Sequence, residues 1–331
     1  MNKEKINDHK YLRKKIDPFD VEKVKNVADV LKSLQNCGFQ GGNLGKALDV
    51  LYKMVSDEKI LTVLTLSGAM VPAGMGEIIC VLMEHGLIDV IISTGANISH
   101  DLIDAVADGG HYQGSAEVDD EDLFNYRINR IYDVFLPEDN YDLTEDVLLK
   151  IIQDSFDQKK IEMCVSEFLS IIGTQIKERC ILSVAAERNT PIFVPAFTDS
   201  EFALNLAIYS EYKGYSFKFD MFEDLKKFAQ IINNSEECGT FIIGGGVPRN
   251  WAQQIFPLLE HLKNVENRGY DYSVRIHTAT ELDGGLSGCT ISESKSWGKY
   301  SLASKYVSVW CDATIALPIL ITALLQKLKL L

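Results

Sequence analysis

ILTVLTLSGAMVPAG, residues 60–74, is a seven-residue apolar run that ends abruptly in a turn rich in small residues. The run is continuous rather than alternating, the pattern of a strand covered on both faces. Five further runs read the same way: IDVIIS (88–93), PIFVPAF (191–197), GTFIIGGG (239–246), YSVRI (272–276) and KYVSVWC (305–311). Between them lie segments of helical spacing. DVEKVKNVADVLKSL sets Val21, Val24, Val27, Leu31 and Leu34 on one stripe behind Asp20 as N-cap, and FEDLKKFAQIINN (222–234) repeats the pattern. Strand and helix in alternation predict an α/β fold, a doubly wound, mostly parallel, Rossmann-like sheet with an N-terminal helical arm. With no Pro/Ser-rich linker and no repeat, we expect an arm over 1–19 and a single domain over 20–331.

Composition narrows the function classes. The chain has 331 residues, 46% of them apolar, and a net charge of −14 from 33 Lys+Arg against 47 Asp+Glu. Such a surface repels nucleic acid and anionic membranes and steers cationic ligands inward. Seven scattered cysteines without a C-x-x-C and six dispersed histidines suggest free thiols and no metal site. MNKEKINDHKYLRKKIDPFD lacks the apolar core of a signal peptide, and ATIALPILITALL (313–325) is too short to span a bilayer. A soluble, cytoplasmic protein is expected. The acidic stretch EVDDEDL (117–123) reads as a solvated loop.

In doubly wound sheets ligands sit beyond the carboxyl ends of the strands. The segments there are SGAMVPAG, TGANISHD, TDSE, GGGVPRN, HTATELDGGLSG and DAT. Their glycines admit close approach, and the helix starts that follow favour anions. No G-x-G-x-x-G follows the first strand, so the ordinary dehydrogenase fingerprint is missing. One segment stands apart. In SESKSWGKY (292–300) Lys299 follows Trp297-Gly298, six residues after Glu293. It is either a turn lysine facing water or a nucleophile held in a partly dry aromatic pocket.

Taken in order, GFQGGNLGKAL, TGANISHDL, PAFTD, IIGGGV, TATELDG, SWGK and DAT resemble the deoxyhypusine synthase family over about residues 17–327. STGAN, GGGVP and LSGCT are similar to the bacterial, deoxyhypusine synthase-like branch, some members of which make homospermidine. The resemblance implies an NAD-dependent transferase without net redox change, acting on spermidine through a lysine Schiff base. The aminobutyl group would pass to putrescine or to a translation-factor lysine. It implies Lys299 as the Schiff-base lysine, with Glu293, Trp297, Asn250, Gly284 and Glu201 at the polyamine. NAD would fall to Gly68, Ala69, Thr94, Gly95, Ala96, Asp199, Gly245, Thr278, Ala279, Ser287, Asp312 and Ala313. Helix N-caps are the structural alternative for Asp199 and Asp312.

The chain also departs from the family pattern. Leu204 and Leu286 stand where the synthase proper has acids, His100 replaces a glutamate, and Asn250 replaces a histidine. Glu201, Glu293 and Asp283 are the acids that remain to hold a short diamine. A histidine titrating near neutrality at position 100 would serve proton transfer. The family pattern further implies a homotetramer with sites at dimer interfaces. A catalytically weak regulatory paralog is the other reading.

Overall fold

The computed structural model describes residues 12, 14–107, 109–262 and 268–331. Most of the expected arm, residues 1–11 and 13, lies outside the described residues. Eleven strands are described: β1 (Ile60–Leu66), β2 (Val90–Ser93), β3 (Tyr112–Gln113), β4 (Ile128–Ile131), β5 (Val134–Pro137), β6 (Lys160–Met163), β7 (Ile192–Phe193), β8 (Ser216–Phe219), β9 (Glu237–Ile243), β10 (Tyr270–His277) and β11 (Tyr300–Trp310). Six of them form one sheet in the order β11-β10-β9-β1-β2-β7. Every pairing in it is parallel.

Period-two alternation splits the apolar runs between two cores. Ile60, Leu64 and Leu66 of β1 face one cluster together with Ile91, Phe241, Ile243, Val274 and Ile276. Leu48, Leu51 and Met54 of the helix Phe39–Ser56, and Leu317 and Leu324 of the helix Ala313–Leu328, fill that side. Val63, Val90 and Ile92 face the other cluster, closed by Phe228 and by Ala252, Ile255 and Phe256 of the helix Gly246–His261. Helices therefore cover both faces, as the unbroken apolar runs require.

From β1 the chain moves outward through β2 to β7, then returns to lay β9, β10 and β11 on the other side. The order reverses between β1 and β9, which opens the crevice where folds of this order take dinucleotides. Ser67 bridges it: its N–H donates to Ile243 O at 3.1 Å and its hydroxyl donates to Gly245 O.

Several boundaries differ from expectation. The helix expected from Asp20 breaks at Val24: Asp20 caps only the short turn Val21–Lys23, and Asn26 caps the helix Val27–Leu34. Val21 is accordingly exposed, while Leu31 is buried. The strand expected over 191–197 keeps only Ile192–Phe193, because Pro191 and Pro195 offer no N–H to a ladder. The last strand is longer, Tyr300–Trp310, with an irregular register near Tyr272 and an exposed edge. The acidic stretch forms part of a short helix, Asp120–Asn125, whose Asp120 pairs with Arg130 at 2.6 Å. A three-stranded antiparallel sheet, β3-β5-β4, and a parallel pair, β6-β8, come from segments that carry no apolar run.

Candidate active site

The glycine turn after β9 runs straight into the helix Gly246–His261. Gly244 and Gly246 take φ of +81° and +59°, left-handed values that a side chain resists. Ser287 closes over this turn. Its hydroxyl accepts from Gly246 N–H at 3.0 Å, and a Cβ on Gly245 would sit 3.0 Å from Ser287 Cα. Across the crevice Gly68 takes φ of +74°, and a Cβ there would meet only the flexible end of Met70, Cε at 3.8 Å. These turns bring Gly68, Gly245 and Ser287 to the reversal point and fit a bound dinucleotide.

The helix Gly95–Val106, after β2, organises the same rim through buried polar side chains. Asn97 Oδ1 accepts from the N–H groups of Met70 (3.1 Å) and Val71 (3.2 Å). Its Nδ2 donates to Gly68 O and Thr94 Oγ1, both at 2.9 Å. Ser99 Oγ accepts from Phe202 N–H at 3.0 Å. Asp101 accepts the N–H groups of Ile181 (2.8 Å) and Leu182 (2.9 Å) at the start of another helix. TGANISHD thus carries three docking residues that no sequence motif singles out; their signal was polar spacing at i, i+2 and i+4. Thr94 works here as the helix cap, and Gly95 is glycine because a Cβ would strike Ser200 Cβ at 2.5 Å.

The two aspartates expected at the cofactor, with helix capping as the structural alternative, part company. Asp312 caps the helix Ala313–Leu328 through Thr314 N–H at 2.8 Å. Asp199 caps nothing: Ser200 holds that position for the helix Glu201–Lys213 and leaves Asp199 exposed. Asp283 accepts from Gly285 N–H at 2.7 Å, a local turn, with Gly284 in open space beside it. Thr278 and Ala279 leave the carboxyl end of β10, and Ala313 opens the last helix.

Because β10 and β11 are parallel, residues 278–299 must cross from the carboxyl end of one to the amino end of the other. Lys299 closes this crossover just before β11, so its backbone does not lie at a strand's carboxyl end, where the other candidates fall. The water-facing alternative fails: Lys299 is 7% exposed. Its Nζ donates to Asn250 Oδ1 at 2.9 Å and stands 5.8 Å from the Trp297 ring centroid. Trp297 is itself 64% exposed. The drying comes from the crossover and its supporting helix, with the indole as an outer wall. Burial pushes the Lys299 amine below its usual range, opposed by Cys289 and reinforced by Arg249, with Glu293 acting weakly upward. Glu293 sits in the first turn of the short helix Ile291–Lys295, capped by Thr290 at 2.9 Å.

His100 belongs to a different group. Its Nδ1 meets His111 Nε2 at 2.9 Å, and His111 Nδ1 meets Asp104 Oδ1 at 2.6 Å. Tyr141 packs edge-on against the His100 ring, and Glu201 is among the charges acting on that tyrosine. Burial, then His111, lowers the His100 pKa to about 4. The imidazole is therefore neutral at physiological pH, contrary to the expectation of titration near neutrality. These bonds join His100 to His111 and Lys299 to Asn250; they do not join the two groups.

With this geometry in hand, relatives identify the chain. A family profile for deoxyhypusine synthase matches residues 29–324. The chain belongs to the deoxyhypusine synthase family. "Probable deoxyhypusine synthase 2" of Archaeoglobus fulgidus is 41% identical over 286 residues, covering 86% of this chain and 93% of that protein. The "Deoxyhypusine synthase-like protein" of Chlorobaculum tepidum is 33% identical, covering 89% of this chain and 85% of its own length. In fold, the chain matches a crystal structure from Entamoeba histolytica, described as a candidate deoxyhypusine synthase. The TM-score is 0.65 at 20% identity, over 93% of this chain and 96% of that one. Among the described residues no helix is long and apolar enough to cross a membrane.

Proposed function

We propose that the protein is an NAD-dependent transferase that moves the aminobutyl group of spermidine through a Schiff base on Lys299 to an acceptor amine. The observation that carries this reading is Lys299 itself: buried, and held by the neutral amide oxygen of Asn250 rather than by a carboxylate. A carboxylate would stabilise the ammonium; a neutral acceptor in a dry site leaves the free amine accessible. NAD, when bound, takes hydride from spermidine and returns it to the product, leaving no net redox change. Gly68, Ala69, Gly245 and Ser287 would hold it across the crevice, with Thr94, Gly95, Ala96, Asp199, Thr278, Ala279, Asp312 and Ala313 at its rim.

The Lys299 amine attacks the oxidised four-carbon unit, the old carbon–nitrogen bond breaks, and diaminopropane leaves. An incoming amine then displaces Lys299. Trp297 stacks on the alkylammonium chain and Glu293 pairs with one polyamine nitrogen. Asn250 positions the lysine, and Gly284 leaves room beside the chain. Glu201 pairs with the far end of the polyamine, and His100, neutral and poorly basic at a pKa of about 4, offers a hydrogen bond there.

The acceptor is a short diamine, putrescine, giving homospermidine. Leu204 and Leu286, 51% and 47% exposed, offer no charge where the protein-modifying branch has acids, which leaves Glu201, Glu293 and Asp283 to hold the ammonium groups of a short diamine. A translation-factor lysine is the competing acceptor. The enzyme is a cytoplasmic homotetramer of single-domain chains, binding neither nucleic acid nor membrane. Borohydride trapping with spermidine and NAD should add an aminobutyl mass to the peptide containing Lys299, and Lys299→Arg should abolish it. Trapping on another lysine refutes the mechanism. Labelled spermidine offered with putrescine and a translation-factor precursor together decides the acceptor; label in the protein alone refutes putrescine.

A further inference from the structure

Arg249 and Arg275 are 2% and 1% exposed. Among the described residues neither pairs with a carboxylate, although arginines this deeply buried ordinarily do. Backbone oxygens take the place of acids. Arg249 Nη1 donates to Cys289 O at 2.7 Å and Nη2 to Ser294 Oγ at 3.2 Å. Arg275 Nε donates to Gly244 O at 3.1 Å, Nη1 to Cys289 O at 2.9 Å, and Nη2 to Ser287 O. Two guanidinium groups thus share one carbonyl, and their remaining acceptors are the glycine turn after β9 and the crossover that carries Lys299.

The lysine is tied to this pair at both ends. Its backbone N–H donates to Ser294 O at 3.3 Å, on the residue whose hydroxyl Arg249 holds. Its Nζ donates to Asn250, the next residue after Arg249. We propose that the Arg249–Arg275 pair is a positioning device for Lys299: it pins the crossover by its carbonyls, and its uncompensated charge favours the free amine of the lysine over the ammonium. This rests on Lys299 being the nucleophile.

Electrostatics fit the geometry. Burial first, and then Arg249, push Arg275 down to about 10, the mark of two cations crowded in a dry site. Arg249 acts on Lys299 in the same direction. Cys289, Glu293 and Lys295 share the crossover with the lysine, and Glu260 of the helix Gly246–His261 faces the adjacent Gly298. Tyr270 and Tyr300 lie on the adjoining strands. Lys295 turns away, its Nζ donating to Leu302 O at 3.3 Å. Cys289 and Glu293 oppose Arg249 at the lysine. A cation beside a lysine in a low-dielectric site is a recognised means of freeing its amine.

The test needs no turnover. The full-length protein is labelled with acetic anhydride across pH 6–11, and acetylation of the Lys299 peptide is read by mass spectrometry with folding checked by circular dichroism. Arg249→Met should raise the apparent pKa of Lys299 by about one unit, a tenfold fall in neutral amine at a given pH. Arg249→Lys, which keeps the charge and loses the fork, should return most of that shift. An unchanged pKa in folded Arg249→Met, or equal shifts in the Met and Lys variants, overturns the proposal. If Arg249→Met does not fold, Arg275→Met against Arg275→Lys makes the same comparison: a shift in the Met variant that the Lys variant reverses supports the proposal, and no shift or equal shifts overturn it. Failure of borohydride trapping at Lys299 would remove the nucleophile reading separately, since the labelling pKa does not depend on it.

Discussion

Replacing Asn97 by alanine tests whether one side chain holds the crevice together. Asn97 is wholly buried and joins the loop after β1 to the loop after β2 through four side-chain bonds. Truncation strands the N–H groups of Met70 and Val71, each costing about 1–3 kcal/mol when left unsatisfied away from water. Alanine returns about 0.6 kcal/mol of helix propensity. The balance is a loss of about 1–5 kcal/mol, read as a lower urea midpoint at fixed protein concentration with an unchanged slope. Asn97→Asp keeps both acceptor bonds but sets a carboxylate against Gly68 O, so it should also destabilise. Because Gly68 rides on the same loop, NAD titrated calorimetrically should bind at least tenfold more weakly to folded Asn97→Ala. A loss below about 1 kcal/mol with unaltered NAD affinity would mean that water or backbone relaxation replaces the side chain, and that Asn97 is no hub.

Gly45→Ala should destabilise despite alanine's better helix propensity of about 1 kcal/mol. The new Cβ would meet Leu31 O at 2.5 Å and Gln35 Cα at 2.7 Å, backbone that cannot swing aside. A net loss of about 1–3 kcal/mol in urea is expected, and a stabilised variant would show that the helices Val27–Leu34 and Phe39–Ser56 part easily. His100 gives a pH signature. Its folded pKa of about 4 lies below the unfolded value, so its contribution is complete above about pH 6.5 and is lost as pH falls toward 4. At about 1.4 kcal/mol per unit, wild type should lose roughly 2 kcal/mol more than His100→Asn between pH 6.5 and 5. Equal losses in the two proteins would place His100 in a wetter site than its burial implies.

The sheet was legible because a strand covered on both faces needs an unbroken apolar run, and 60–66, 239–243 and 272–276 supply one with few competing signals. Order within the sheet was not, since it is set by tertiary pairings such as Ile60 beside Glu237 that leave no local pattern. The runs misjudged in length each had a local cause. Prolines cut 191–197 short, and β11 extends to Tyr300 because it pairs with Tyr270 despite its polar, exposed face. Short strands such as Tyr112–Gln113 exist by pairing with β5 alone and carry no pattern of their own.

At the site, the chemistry-bearing lysine was legible while its support was not. Glu293, Trp297 and Lys299 stand together in seven residues of sequence, so their association is local. Arg249 and Arg275 are 26 positions apart and meet only because β10 lies beside β9, whose following helix carries Arg249. An arginine in the middle of YSVRI was nonetheless a signal, since a strand buried on both faces seldom accepts a charge without an inward task. The same holds for His100. In sequence it is one of six scattered histidines, and only the fold sets His111 and Asp104 against it. If His111 Nδ1 donates to Asp104, its Nε2 accepts from His100 Nδ1–H, and the outer His100 Nε2 is left as the basic atom. Which nitrogen of His100 stays free is thus set by a residue eleven positions away, and no reading of position 100 by itself would have supplied it.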